Sequence, residues 1–101
     1  MGKVYGYCRV ALKNDEEIAA QCKIIDDYCR DNGLKVGGYF CDNGVSGLKF
    51  DRDALNRMLQ ILQEGDIVIV KDIARLSREY RQCISIAESI CRAGALLKII
   101  N

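Results

Sequence analysis

Four short runs of branched and aromatic residues, at 3–10, 35–41, 67–70 and 96–100, alternate with stretches whose apolar side chains recur every three to four positions. Runs of this length and make-up are strands, and the intervening period is that of a helix with one buried face. Asn14 or Asp15 can cap the first helix, in which Ile18, Cys22, Ile25 and Tyr28/Cys29 share a face, and Asn32-Gly33 closes it. Asp51 or Asp53 is placed to cap the second, with Leu55, Met58, Leu59 and Leu62 as its buried stripe and Glu64-Gly65-Asp66 as its end. The third spans about Arg78 to Ala93, with Ile84, Ala87, Ile90 and Cys91 facing inward. The unbroken branched run 67–70 suits a strand covered on both faces. Regular alternation implies right-handed crossovers, so the expected fold is α/β: a mainly parallel four-stranded sheet with helices on both faces.

No linker, repeat or low-complexity stretch interrupts the 101 residues, which makes 1–101 a single domain with a modest core. A formal net charge of +1 means that any attraction for nucleic acid has to come from a local patch. No apolar run approaches the roughly 18 residues of a membrane span, and no basic-then-apolar leader opens the chain, so a cytosolic protein without a membrane partner is expected. The cysteines, Cys8, Cys22, Cys29, Cys41, Cys83 and Cys91, form no CxxC pair and there is no histidine. Reduced thiols follow, rather than a disulfide framework or a zinc site, with Cys22 and Cys29 read as small core residues.

In parallel sheets, function gathers at the carboxyl ends of the strands. Three unusual segments fall there. Arg9-Val10-Ala11 end the first strand, Asp42-Asn43-Gly44-Val45-Ser46-Gly47 follow the second, and Lys71-Asp72-Ile73-Ala74-Arg75-Leu76-Ser77-Arg78 follow the third. Arg52 stands just ahead of the second helix. Cys8, one residue before Arg9, has the opposite strand parity and points to the other face.

Taken in order, Tyr7-Cys8-Arg9-Val10-Ala11, Asp42 to Gly47, Asp51-Arg52 and Lys71 to Arg78 resemble the catalytic domain of the serine recombinases, the resolvase and invertase family, and especially its large-integrase and transposon branch. The resemblance covers nearly the whole chain and implies metal-free DNA strand cleavage and rejoining with no cofactor. In that family a serine in a Tyr-x-Arg-Val-Ser motif attacks DNA, forms a 5′-phosphoserine link and releases a 3′ hydroxyl. By the same resemblance, Arg9, Arg52, Arg75 and Arg78 are phosphate and transition-state ligands. Asp42 and Ser46 support the nucleophile's surroundings, and Tyr7 and Gln21 play looser supporting parts. The chemistry suits arginine, whose forked, permanently charged guanidinium matches phosphate oxygens.

The departures are as informative as the matches. Ala11 stands at the nucleophile position and has no hydroxyl, so the resemblance implies an inactive chain, with loss of turnover on the order of 10⁶ by analogy with a protease deprived of its serine. Three explanations fit Ala11: a deliberate substitution, a natural degenerate copy, or a displaced nucleophile, for which Ser46 and Ser77 are the nearby hydroxyls. Ala74 stands where many members have Asp or Ser, and Asp replaces a usual Pro in the Asp51-Arg52-Asp53 segment. The chain also stops after the fourth strand, so a fragment is expected, cut before the long dimerisation helix and the DNA-binding region. The implied partners are DNA and other recombinase subunits in a dimer or tetramer, with the fragment itself mostly monomeric.

Each site residue also has an ordinary reading: Arg52 as a surface helix-terminal residue, Arg9 paired with Asp42, Arg75 and Arg78 as a solvated helix start, Ser46 and Ser77 as turn or cap residues. Two alternatives to a catalytic domain remain: a recombinase-derived module that binds DNA or a partner without cutting, and an unrelated flavodoxin- or receiver-like domain that holds a phosphate at the same edge. Against the second, there is no Gly-x-Gly-x-x-Gly or Walker A loop.

Overall fold

A computed structural model describes residues 2–46 and 52–101. β1 (Val4–Val10) is buried along its whole length because it lies inside the sheet, between β2 (Val36–Asn43) and β3 (Ile67–Val70), with β4 (Leu96–Ile99) beyond β3. All three pairings are parallel. The order β2-β1-β3-β4 reverses direction at β1, so the loops leaving β1 and β3 depart toward opposite faces and leave a crevice between their carboxyl ends. The expected α/β sheet is the observed one.

α1 (Asp15–Asp31) covers one face, packing Ile25 and Cys29 on Val4, Cys8 and Ile69. α2 (Asp53–Ile61) and α3 (Tyr80–Arg92) cover the other, where Leu55, Met58, Ile86 and Ile90 meet Tyr5, Tyr7, Val68 and Val70. Side chains alternate along β1, so Tyr7 and Arg9 share the α2/α3 face and Cys8 turns to α1, as its parity requires. Among the described residues no helix is long and apolar enough to cross a membrane.

Local signals hold for α1. Asn14 accepts a hydrogen bond from the Glu17 amide at 3.0 Å, and Gly33 adopts a φ of 68° just past the Asn32 cap. The second helix corrects the sequence expectation. Asp53 is its first helical residue rather than its cap, Arg52 occupies the cap position without a side-chain bond to the helix, and Asp51 lies outside the described residues. The cap comes from β2 instead: Asp42 accepts from the Ala54 and Leu55 amides at 2.9 and 3.1 Å.

The third helix is corrected in its start and its buried face. It begins at Tyr80, not Arg78, because Ser77 Oγ accepts from the Glu79 amide at 3.0 Å and donates to Gln82 Oε1 at 2.5 Å, which ends the preceding turn. That buried pair draws the Gln82 side inward, so Cys83, Ile86 and Ile90 form the core stripe. Of the residues expected inside, Ile90 is buried, Ala87 is half-buried, and Ile84 and Cys91 are exposed.

Candidate active site

The end of β1 is tied down from three directions. Gln21, fully buried on α1, accepts from the Arg9 amide at 3.2 Å and donates to the Arg9 carbonyl at 3.0 Å, a paired bond that does for this strand end what a neighbouring strand would do. The Val10 carbonyl accepts from the Gly44 and Val45 amides at 2.9 and 3.0 Å, which folds the β2–α2 loop back over the strand. Gly44 makes that return at a φ of 86°, open to glycine without strain. Ala11 follows directly and is exposed.

Arg9 is only 2 % exposed, and its guanidinium is fully engaged. Nε donates to the Arg75 carbonyl at 3.1 Å, one terminal nitrogen to the Val45 carbonyl at 3.0 Å, and the other to the Ala74 carbonyl at 2.6 Å. Arg75 returns the contact, donating to the Arg9 carbonyl at 2.7 Å. The two arginines thereby lock β1 to the 3-10 turn Ile73–Arg75. Ala74 takes part through its carbonyl, so the side chain usual at that position in the resembled family is not needed for this bond.

Arg52 reaches the same turn from the start of α2. It is fully buried, donating to the Arg75 carbonyl at 3.3 Å and to the Leu76 carbonyl. Its Nε has no partner among the described residues. The surface-residue reading of Arg52 therefore fails. Arg75 Nε meets Asp72 Oδ1 at 3.1 Å, and Arg78 is exposed. Asp72, three residues ahead of Arg75, is the partner of a candidate site residue that sequence reasoning passed over, although an i,i+3 acid–base pair is a legible signal.

Asp42 does not pair with Arg9. Its carboxylate is buried, takes the two α2 amides and accepts the Tyr7 hydroxyl at 2.7 Å. A negative charge at a helix N-terminus is stabilised by the helix dipole and the free amides there. Burial, and then the bond to Asp42, push the Tyr7 phenol well above its ordinary range, so it stays neutral and acts as a donor.

The electrostatic result is an excess of positive charge. Of the four arginines, Arg75 alone has a carboxylate partner among the described residues. The Arg9 guanidinium is pushed below its ordinary range, first by burial and then by the charges of Arg75, Arg52 and Arg78, which sets all four in one field. Ser77 is buried in its pair with Gln82, whereas Ser46 is exposed on the β2–α2 loop. Lys71 lies 3.9 Å from Glu17. The structure thus gathers two bonded sets at the carboxyl edge, Arg9, Arg52, Arg75 and Gln21 in one and Tyr7 and Asp42 in the other, with Ala11 and Arg78 at the exposed margin.

Residues 4–101 match the family described as "Resolvase, N terminal domain". The chain is 34% identical over 96 residues to a resolvase from Clostridium perfringens, a match covering 95% of this chain and 48% of that protein. It is 26% identical over 99 residues to the transposon Tn3 resolvase of Escherichia coli, covering 98% of this chain and 50% of that protein. It thus spans about half the length of these relatives. Among solved structures, the N-terminal catalytic domain of TP901-1 integrase superposes with a TM-score of 0.91 at 26% identity, covering 98% of this chain and 78% of that one. A resolvase family site-specific recombinase from Streptococcus pneumoniae gives a TM-score of 0.82 at 25% identity, covering 99% and 72%. The chain belongs to the resolvase N-terminal domain family and has the fold of the serine-recombinase catalytic domains.

Proposed function

We propose that the arginine edge binds a DNA phosphodiester as in a site-specific recombinase, and that with alanine at position 11 it does so without cutting the strand. The observation that carries the reading is the gathering of Arg9, Arg52, Arg75 and Arg78 around the end of β1 with, among the described residues, a paired carboxylate beside Arg75 alone. Phosphoryl transfer asks a protein chiefly to position the phosphate and stabilise charge on its oxygens. Exposed Arg78 is placed to meet those oxygens directly, and half-buried Arg75 can add to it beside its bonds to the Arg9 carbonyl and Asp72. Arg9 and Arg52, whose terminal nitrogens already bond to carbonyls, hold the 3-10 turn in place and add positive field.

A serine at position 11 would supply the attacking oxygen; Ala11 supplies none, so no phosphoserine link forms there. Ser77 is no substitute, since its hydroxyl is spent on Gln82 and the start of α3. Leu12, 85% exposed, and Tyr80, 77% exposed, add apolar surface near this edge that suits contact with a second recombinase subunit.

The test joins the chain to the C-terminal half of the Clostridium perfringens resolvase and offers the chimera that relative's recombination site. The chimera as it stands forms no covalent protein–DNA adduct on a denaturing gel, while its Ala11→Ser variant does. Failure of the Ala11→Ser chimera to form an adduct overturns the assignment of position 11. An adduct from the unaltered chimera overturns the claim of inactivity and points to Ser46.

A further inference from the structure

Sequence spacing alone makes the cysteines ordinary core residues, but the sheet register brings three of them together. Cys8 and Cys41 lie opposite one another on β1 and β2, both toward α1, and Cys22 comes down from α1 onto them. Their three Sγ atoms lie within 4.8 Å of one another, with those of Cys8 and Cys22 3.7 Å apart. Zinc–thiolate bonds of about 2.3 Å correspond to sulfur–sulfur separations of about 4 Å, within the range these three sulfurs span, so small side-chain shifts suffice to bring all three onto one ion.

The frame around the sulfurs is fixed. Cys8 belongs to the fully buried central strand. The turn bearing Cys22 is held by Tyr39, whose hydroxyl donates to the Cys22 carbonyl at 3.0 Å and also bonds Asp26. The Tyr39 ring in turn lies across Gly6, where a Cβ would come within 2.5 Å of it. Cys22 and Cys41 are half-buried, which leaves a path for an ion and for a solvent ligand.

We propose that Cys8, Cys22 and Cys41 form a three-thiolate site for a soft divalent cation of the zinc–cadmium class, with solvent as its fourth ligand. Three thiols lose their protons to solvent and three metal–sulfur bonds form, with no change of oxidation state. The resulting net charge of −1 favours a divalent over a monovalent ion, which would leave −2 in a mostly apolar setting. The site straps α1 to β1 and β2 on the sheet face opposite Arg9, so it touches none of the arginines. Binding an ion there stabilises the folded chain, because the unfolded chain holds no such cluster.

The reduced chain is titrated with Cd²⁺, whose thiolate complexes absorb in the ultraviolet, and then challenged with Zn²⁺. Absorbance saturates at one equivalent, protons are released on binding, and Cys22 and Cys41 become protected from alkylation while exposed Cys91 stays reactive. Cys22→Ser and Cys41→Ser each weaken binding by about 100-fold or more, and Cys91→Ser leaves it unchanged. Uptake that survives both Cys22→Ser and Cys41→Ser, or that disappears with Cys91→Ser, overturns the proposal. If the serine variants fail to fold, the alkylation pattern of the unaltered chain decides: equal labelling of Cys22 and Cys41 with and without metal also overturns it.

Discussion

Replacing Asp42 with alanine tests whether one side chain really fastens α2 to the two strands beside it. Its carboxylate accepts three bonds, from Tyr7 Oη at 2.7 Å and from the Ala54 and Leu55 amides at 2.9 and 3.1 Å, and it is 4 % exposed. Losing an N-terminal cap costs about 1 to 2 kcal/mol. Leaving the fully buried Tyr7 hydroxyl without an acceptor costs about 1 to 3 kcal/mol more. Asp42→Ala is therefore expected to destabilise the chain by about 2 to 5 kcal/mol. With a urea m value of about 1.5 kcal/mol/M, the unfolding midpoint followed by circular dichroism falls by about 1 to 3 M. Asp42→Asn keeps the shape and one acceptor but sets an NH₂ against an amide donor, so it costs about half as much. Tyr7→Phe removes a single bond and leaves both helix amides capped, costing about 1 kcal/mol. If Asp42→Ala costs less than about 1 kcal/mol, or if Tyr7→Phe costs as much as Asp42→Ala, the helix cap is not what Asp42 supplies and the reasoning fails.

Arg9→Lys keeps the charge but loses the fork that reaches the Val45, Ala74 and Arg75 carbonyls together; a loss of about 2 to 3 kcal/mol is expected in the same urea assay, and an unchanged midpoint would show those bonds to be unimportant. Asp66 accepts from the Lys3 amide at 2.9 Å and the Gln63 amide at 2.8 Å, and those bonds hold its carboxyl below the usual range. Its folded pKa is depressed, so its stabilisation is fully present above the ordinary carboxylate pKa and lost as pH falls through the lowered one. Asp66→Asn should lower stability at neutral pH and flatten the acid limb of stability against pH below about 4. Duplex DNA binding through two to four phosphate contacts should weaken about 10- to 150-fold between 50 and 200 mM salt, read by fluorescence anisotropy; a salt-independent affinity would remove the arginine edge from the interaction.

The elements of the fold were legible because each rests on local chemistry. The branched run 67–70 became β3 unchanged, and Asn14 capped α1 as its position suggested. What escaped was whatever the sheet brings together from distant residues. Asp42 replaces Asp51 or Asp53 as the cap of α2 because the strand end delivers a carboxylate to the helix amides, a contact between residues 12 and 13 positions apart. The face of α3 was misread because Cys83, Ile86 and Ile90 and the alternative Ile84, Ala87 and Cys91 are two apolar stripes on neighbouring faces. The buried Ser77–Gln82 pair decides between them, and no periodicity carries that information. The candidate site residues come from resemblance to a family. Their division of labour does not, since it depends on which guanidinium groups find carbonyls within reach.

That division has an energetic logic. A buried guanidinium must be given partners, and a carboxylate would be the stronger one. A carboxylate would also cancel the charge. Arg9 and the terminal nitrogens of Arg52 bond instead to carbonyl oxygens of the Ala74–Leu76 segment and, for Arg9, of Val45, with Arg52 Nε left without a partner among the described residues. Carbonyl dipoles carry no net charge, so most of the hydrogen-bonding need is met while the positive field survives. Among the described residues the one buried carboxylate nearby, Asp42, directs its charge at a helix N-terminus and a tyrosine hydroxyl. The repulsion left among Arg9, Arg52, Arg75 and Arg78 is a cost the folded chain carries alone, and after burial it is what lowers the pKa of Arg9. On the proposed function, an arriving phosphodiester would relieve it, met first by exposed Arg78, while Arg9 and Arg52, together with the Arg75 bonds to the Arg9 carbonyl and to Asp72, keep the turn in position. On that reading Arg9 and Arg52 serve rigidity, Arg78 serves anion binding, and Arg75, bonded to the Arg9 carbonyl and to Asp72, serves both.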